Sequence, residues 1–146
     1  MKDEEIKGPN MTPDICIYHD NCDDGFAAAY AVWVKYGNHV EYIPAQYGWE
    51  PPYDKIEGKD VLIVDFSYKR DVLLEMGKRC KRVVILDHHK SAQAELQEFP
   101  KLQSTLSDPD EVGIFVHFDM DRSGCGLAWE YIFETEEDSP DWFDAI

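Results

Sequence analysis

Val83-Val84-Ile85-Leu86-Asp87-His88-His89 is the stretch from which the rest of this chain can be read. Four aliphatic residues in a row leave no polar face, as in a strand covered on both sides within a parallel sheet. The run then stops on a carboxylate and two imidazoles. Adjacent histidines directly after such a strand have no obvious packing role. A neighbouring carboxylate can instead fix the tautomer of a metal-bound imidazole.

The same grammar recurs upstream. Val61 to Val64 is another fully apolar run, and it ends on Asp65. Ile15 to Tyr18 is a third, followed by the polar loop His19-Asp20-Asn21-Cys22-Asp23-Asp24-Gly25. Val40 to Ala45 and Gly113 to Phe118 read as further strands, the last as an edge strand. Between them lie helical patterns. In Phe26 to Tyr36 the residues Phe26, Tyr30, Trp33 and Val34 fall on one face, and the alanines between them favour helix and close packing. Gly37-Asn38 ends that helix. Lys69 to Cys80 turns Val72, Leu73 and Met76 inward. Ser91 to Pro100 fits a short helix, and Lys101 to Asp110 is rich in turn residues. Cys125 to Phe133 is a final helix with Leu127, Tyr131 and either Trp129 or Ile132 inward.

Strands alternating with helices predict an α/β, Rossmann-like three-layer fold with a mainly parallel sheet. Met1 to Pro13 reads as a flexible leader, and residues 14–146 as one catalytic-type domain. Ligands of open parallel sheets bind beyond the carboxyl ends of the strands. Three strands end there on acidic or imidazole residues.

The 146 residues carry a formal net charge of -16, which repels phosphate backbones and disfavours long duplex nucleic acid as a partner. Part of that acidity is explained if carboxylates gather around cations. Asp3 to Glu5 and Glu134 to Asp138 read as solvated runs instead. Cys16, Cys22, Cys80 and Cys125 form no Cys-x-x-Cys pair, which favours reduced thiols and a cytoplasmic location. No apolar run suits a membrane span.

If the sheet is parallel, His19, Asp20, Asp23, Asp24, Asp65, Asp87, His88 and His89 share one edge. Without a cation that pile of carboxylates costs several kcal/mol in repulsion and desolvation. Carboxylates with imidazoles suit Mn²⁺, Mg²⁺ or Zn²⁺, and two ions sharing a carboxylate could clamp a phosphoryl group. Each residue also has an ordinary use. Asp24 before Gly25 suits a turn or an N-cap, Asp65 could cap the next helix, and a lone His19 could be a plain hydrogen-bonded histidine. Arg122-Ser123-Gly124 opens a helix: Arg122 can grip phosphate and the helix N–H groups can receive an anion, or Ser123 is a cap and Arg122 faces solvent. His39 is expected on the surface, and His117 alternates out of its strand.

In order along the chain come His-x-x-Cys-x-Asp-Gly-Phe-Ala-Ala (His19 to Ala28), Tyr47-Gly48 with Pro51-Pro52, Val-Asp-Phe-Ser (Val64 to Ser67), Asp87-His88-His89, and Arg-Ser-Gly-x-Gly-Leu-Ala-Trp-Glu (Arg122 to Glu130). On these motifs the chain resembles the DHH phosphoesterase superfamily, which includes RecJ-type exonucleases, oligoribonucleases and family II inorganic pyrophosphatases. It is most similar to a small phosphohydrolase branch of phages and bacteria. The resemblance spans Ile15 to at least Phe133.

The resemblance implies a manganese-dependent phosphoesterase with two ions, Mg²⁺ or another divalent metal being the alternative. It implies that His19 and Asp24 bind metal, that Asp65 bridges, and that His88 ligates. His89 would ligate or contact the phosphate, and Asp87 would support a histidine. A water between the metals would be the nucleophile. His89 or Arg122 would stabilise the growing charge, with Ser123 and Gly124 beside the phosphate. Two departures stand out. Cys22 occupies the position of the family's first aspartate, so either Asp23 moves in or Cys22 itself ligates a softer metal. The family's last ligand aspartate has no clear counterpart; Asp141 and Asp144 are substitutes, Asp119 and Asp121 weaker ones. The C-terminal substrate-binding domain of the family is also absent from these 146 residues.

The leading expectation is hydrolysis of a nucleotide, short oligonucleotide or other small phosphate ester by metal-activated water. The alternative is a catalytically impaired or partner-completed metal- and nucleotide-binding module. A response-regulator-like domain fits less well, because paired histidines and Arg-Ser-Gly have no place in it. Trp142, Phe143 and Ile146 form an apolar end that would either dock on the body or favour a homodimer.

Overall fold

Each apolar run becomes a strand; the runs at 15, 61 and 83 take in one or two polar residues at their ends, and those at 40 and 113 each start one residue later. The strands are β1 (Ile15–His19), β2 (Glu41–Ala45), β3 (Asp60–Val64), β4 (Arg82–Asp87) and β5 (Ile114–Phe118). The computed structural model describes residues 12–97, 99, 113–133 and 139–145. Most of the expected leader and the turn-rich segment after Pro100 lie outside these residues. The five strands form one sheet of order β2-β1-β3-β4-β5, and every pairing is parallel. The expected edge position of β5 is observed, with β2 at the other edge. Pro44 is accommodated in β2 because an edge strand can spare a ladder donor.

The helices are α1 (Asp23–Tyr36), α2 (Tyr53–Ile56), α3 (Arg70–Arg79), α4 (Lys90–Glu95) and α5 (Gly124–Phe133), with 3-10 turns at Gly37–His39 and Asp141–Ala145. The single turn α2 was not anticipated; Ile56 anchors it with no exposure at all. α4 is shorter than the 91–100 span that the pattern allowed. None of the described helices is long and apolar enough to cross a membrane. None of the four cysteines is in a disulfide.

Strand alternation sends side chains into two cores. Cys16, Leu62, Val64, Val84 and Leu86 pack against α1 and α5. Ile15, Ile17, Ile63 and Ile85 pack on the opposite face with Leu73 and Met76 of α3. Both faces of the sheet are therefore covered, which is why the strands carry no polar stripe.

The packing of α1 departs from the pattern of its large residues. Phe26, Trp33 and Val34 are 63%, 49% and 41% exposed, whereas Ala27, Ala28, Ala31 and Val32 are fully buried. The small face is the inner one because α5 lies against it and brings small residues of its own, Cys125 and Ala128, to the seam. Backbones that approach this closely exclude large side chains, which are displaced to the outer face. Outside the seam, Lys35 Nζ donates to the Ile132 carbonyl at 3.2 Å. Of the apolar chain end, Phe143 is buried against Trp129 and Trp142 leans on Tyr30, while Ile146 lies outside the described residues.

This seam can be tested by thermal unfolding. Ala28→Leu is expected to destabilise by about 1–3 kcal/mol through overpacking. Phe26→Ser is expected to stay within about 0.5 kcal/mol, because the ring is largely in solvent. The opposite ranking would mean that the large face is the buried one.

Candidate metal centre

The register of the sheet builds the centre. Tyr18 pairs with Val64, and Val64 with Leu86. The next residues, His19, Asp65 and Asp87, therefore stand level on three adjacent strands, with a spacing of about 4.8 Å from one strand to the next. The order reverses between β1 and β3, the position where doubly wound sheets open a crevice. Asp65 leaves β3 in a left-handed conformation with φ 54°. Asp tolerates that region better than most residues, at a cost on the order of 1 kcal/mol. The turn buries its carboxylate at the middle of the row.

Two groups of donor atoms result, Asp65 with Asp87, His88 and His89, and Asp65 with His19 and Cys22; within each, all donor atoms lie within 4.8 Å of one another. Asp65 belongs to both. Its Oδ1 is 2.7 Å from His88 Nε2, while its Oδ2 faces Cys22 Sγ at 3.5 Å and His19 Nδ1 at 3.9 Å. Asp87 Oδ1 accepts the His88 backbone N–H at 2.8 Å and meets His89 Nδ1 at 2.6 Å. This carboxylate orients His89.

Asp24 has a role that its local sequence did not reveal. It stands in the first turn of α1, yet its two oxygens accept the Gly124 and Cys125 backbone N–H groups of α5, at 2.8 and 2.7 Å. Oδ2 also lies 3.2 Å from His88 Nε2. Asp24 thus caps a helix one hundred residues away and leans on the centre. Two glycines allow this. A methyl at Gly25 would overlap the His19 carbonyl, and one at Gly124 would fall 2.5 Å from Asp65 Oδ1.

The electrostatics are those of a site lacking positive charge. Burial, then the charge on Asp24, raises the pKa of Asp65, against the pull of His88. Burial likewise raises that of Asp87, opposed by His89. Asp87 is fully buried, and its Oδ2 has no hydrogen-bond partner among the described residues. Such an orphaned oxygen costs about 1–3 kcal/mol or more and calls for an ion or a water. Carboxylates with imidazoles fit a divalent cation, and the Cys22 thiol beside His19 adds a soft donor to one group. Burial raises the Cys22 pKa, and the backbone N–H of Gly25 lowers it.

The candidates of the sequence divide. His19, Cys22, Asp65, Asp87, His88 and His89 are brought together, with Asp24 at their edge. Asp23 is exposed and joins neither group. Gly124 cannot offer its N–H to a phosphate while Asp24 holds it, and Ser123 Oγ accepts the Gly126 N–H at 3.1 Å as an ordinary cap. The Arg122 guanidinium pairs with Asp119 at 3.0 Å and Glu130 at 3.1 Å. The anion expected at this helix start is therefore the protein's own Asp24. Asp119 is tied to Arg122, while Asp121, Asp141 and Asp144 are exposed. His39 is exposed as expected, and His117 is half-buried on β5. Two neighbours had no role assigned from sequence, although Tyr47 belongs to one of the motifs quoted above. Gln46 donates to Asp20 at 3.0 Å, and the Tyr47 ring packs on His19 at 5.4 Å. Burial, helped by the charges of Asp87 and Asp65, pushes the Tyr47 phenol up to about 12.

No protein-family model matches the chain, and no solved structure gives a significant match. An uncharacterized protein of Acanthamoeba polyphaga mimivirus is 34% identical over 134 residues, covering 82% of this chain. The match covers 29% of that relative's length.

A carboxylate whose pKa is raised by folding favours its neutral form. The unfolded chain ionises first as pH rises, so Asp65 takes stability away between about pH 4 and its raised folded value. Asp65→Asn, which keeps an oxygen for His88 and suits a left-handed turn, is expected to raise the metal-free melting temperature at pH 7 and to flatten its fall from pH 4. The same variant should lose the stabilisation by Mn²⁺, about 2.7 kcal/mol at a hundred-fold excess over Kd for the parent. A parent-like response to Mn²⁺ would remove Asp65 from the centre.

Proposed function

We propose that this chain is a metal-dependent phosphohydrolase of the DHH phosphoesterase type, acting on a nucleotide, short oligonucleotide or other small phosphate ester. The observation that carries the reading is the sharing of Asp65 between two donor groups. One oxygen faces His88 and the other faces Cys22 and His19. That is the arrangement a bridging carboxylate needs. When bound at such a pair of sites, divalent cations supply an activated water and neutralise phosphoryl oxygens.

The chain's own residues have separable tasks. His19, Cys22, Asp65, Asp87 and His88 would hold the cations, with Asp24 as a further donor once His88 and α5 are positioned. An ionised Asp87 accepts from His89 Nδ1–H and so leaves Nε2 as the free ring nitrogen. His89 is among the more exposed members of its group, with 39% of its side chain accessible. With both ring nitrogens protonated it would donate from Nε2 to a phosphoryl oxygen, or give that proton to the leaving group and remain neutral against Asp87. Arg122, held by Asp119 and Glu130, acts here as a support for the turn before α5. Cys22 in place of a carboxylate shifts preference toward softer ions, so Zn²⁺ and Co²⁺ belong beside Mn²⁺ in any trial.

One observation favours a binding module without turnover. Asp141 and Asp144 are exposed and lie in neither donor group, so no described residue stands in for the family's last ligand.

Stripped protein reloaded with Mn²⁺, Mg²⁺, Zn²⁺ or Co²⁺ would be assayed on bis-p-nitrophenyl phosphate, pyrophosphate and short RNA. Turnover is expected with Mn²⁺ and should fall at least about a hundred-fold in Asp65→Asn and His88→Ala. Metal binding with no turnover on any substrate would sink the hydrolase reading in favour of the binding module.

A further inference from the structure

A cavity of about 610 Å³ opens beside the metal centre, on the face of the sheet opposite α1 and α5. It lies between loop 46–52, the turn after β3 and the start of α4. Its volume falls within the roughly 300–1,000 Å³ usual for small-molecule sites. Phe66 and Tyr68 wall it, 1% and 7% exposed, with their rings 5.0 Å apart. Tyr47 and Trp49 stand at its rim, 58% and 51% exposed. The Tyr47 ring lies tilted on Phe66 at 4.7 Å, and His19 packs edge-on against it at 5.4 Å, so the three rings form one cluster. His89 lines the cavity and also belongs to the donor group.

We propose that this cavity binds a nucleobase, stacked on Tyr47 and Trp49, so that the phosphate ester presented to the metal centre is a nucleotide. The phosphate end rests on the phosphohydrolase reading; the base end does not. Two large rings on one short loop are left open to solvent beside a charged centre, where a planar ring would cover them. Stacking accepts any base, because every base has a π-face. The polar groups around the cavity suit a base edge better than a second phosphate. Among the described lining residues Lys69 is the one lysine or arginine, and the lining also holds the carboxylates Glu50 and Glu95. Glu95 is oriented by the Arg70 backbone N–H at 2.7 Å. Continuity through His89 places the ring site and the phosphoryl site within reach of one small molecule.

The test is calorimetric titration of the whole chain with AMP, ribose 5-phosphate and adenosine, with Mn²⁺ and after EDTA. AMP is expected to bind on the order of ten-fold tighter than ribose 5-phosphate, the effect of one stacked base. Trp49→Ala should remove that factor for AMP and adenosine and leave ribose 5-phosphate unchanged. Trp49→Phe should restore most of it. Trp33→Ala, on the far side of the sheet, should change nothing. Adenosine binding should survive EDTA. Equal affinity for AMP and ribose 5-phosphate would overturn the proposal, as would equal losses for both in Trp49→Ala. The two readings fail separately. Metal-dependent hydrolysis without base preference removes the base site alone, and base preference without metal-dependent turnover removes the hydrolase alone.

Discussion

Asp24 joins parts of the chain that no local pattern connects. Its carboxylate starts from the first turn of α1 and takes the two leading N–H groups of α5. A helix N-terminus carries about half a positive charge, so a buried carboxylate is a natural partner there. The contact fixes the height of α5 against α1. The small-residue seam between the helices then closes, and Gly124 is pressed against Asp65. The same oxygen that caps α5 lies 3.2 Å from His88. Helix packing and site geometry are thus held by one side chain. This explains why glycine is needed at both helix starts: a side chain at Gly25 or Gly124 would push apart groups that must meet.

The centre that results carries a cost which the apolar scaffold cannot offset by itself. Asp65 and Asp87 are almost wholly buried, and burial raises both pKa values despite their histidine partners. The histidines do not use all of the carboxylate oxygens, since Asp87 Oδ2 has no hydrogen-bond partner among the described residues. A protein that wanted only a stable core would place apolar residues at these strand ends. Keeping carboxylates there is reasonable when a cation completes them.

The sheet was legible in the sequence because its strands are buried on both faces. Val61 to Val64 and Val83 to Leu86 contain no alternation that could be misread, and the polar residue after each marks its carboxyl end. Asp65, His88 and His89 were legible for the same reason. What lay hidden depended on contacts between distant segments. The inner face of α1 could not be read from its own pattern, because the large residues form the stronger stripe and only the presence of α5 makes the alanine face the buried one. Asp24 read as a turn or cap of its own helix, whereas it caps another. Arg122 and Gly124 fitted a phosphate site by local sequence, and the protein's own carboxylates occupy that place. Cys22 was ambiguous with Asp23 until the turn of α1 put one inside and the other in solvent.

The charge of -16 bears on which substrates could approach. A chain this acidic repels any anion at a distance, and the repulsion grows with the number of phosphates. On the proposed reading, close attraction would come from a cation held at the donor cluster, and it acts over only a few ångströms in salt. A ligand with one or two phosphates and an uncharged planar group meets this constraint better than a polymer does. The cavity beside His89, as proposed, would take the planar group without adding to the charge problem, since stacking is indifferent to the field. Acidity and aromatic exposure, which look unrelated in the composition, point in the same direction once both are located at one edge of the sheet.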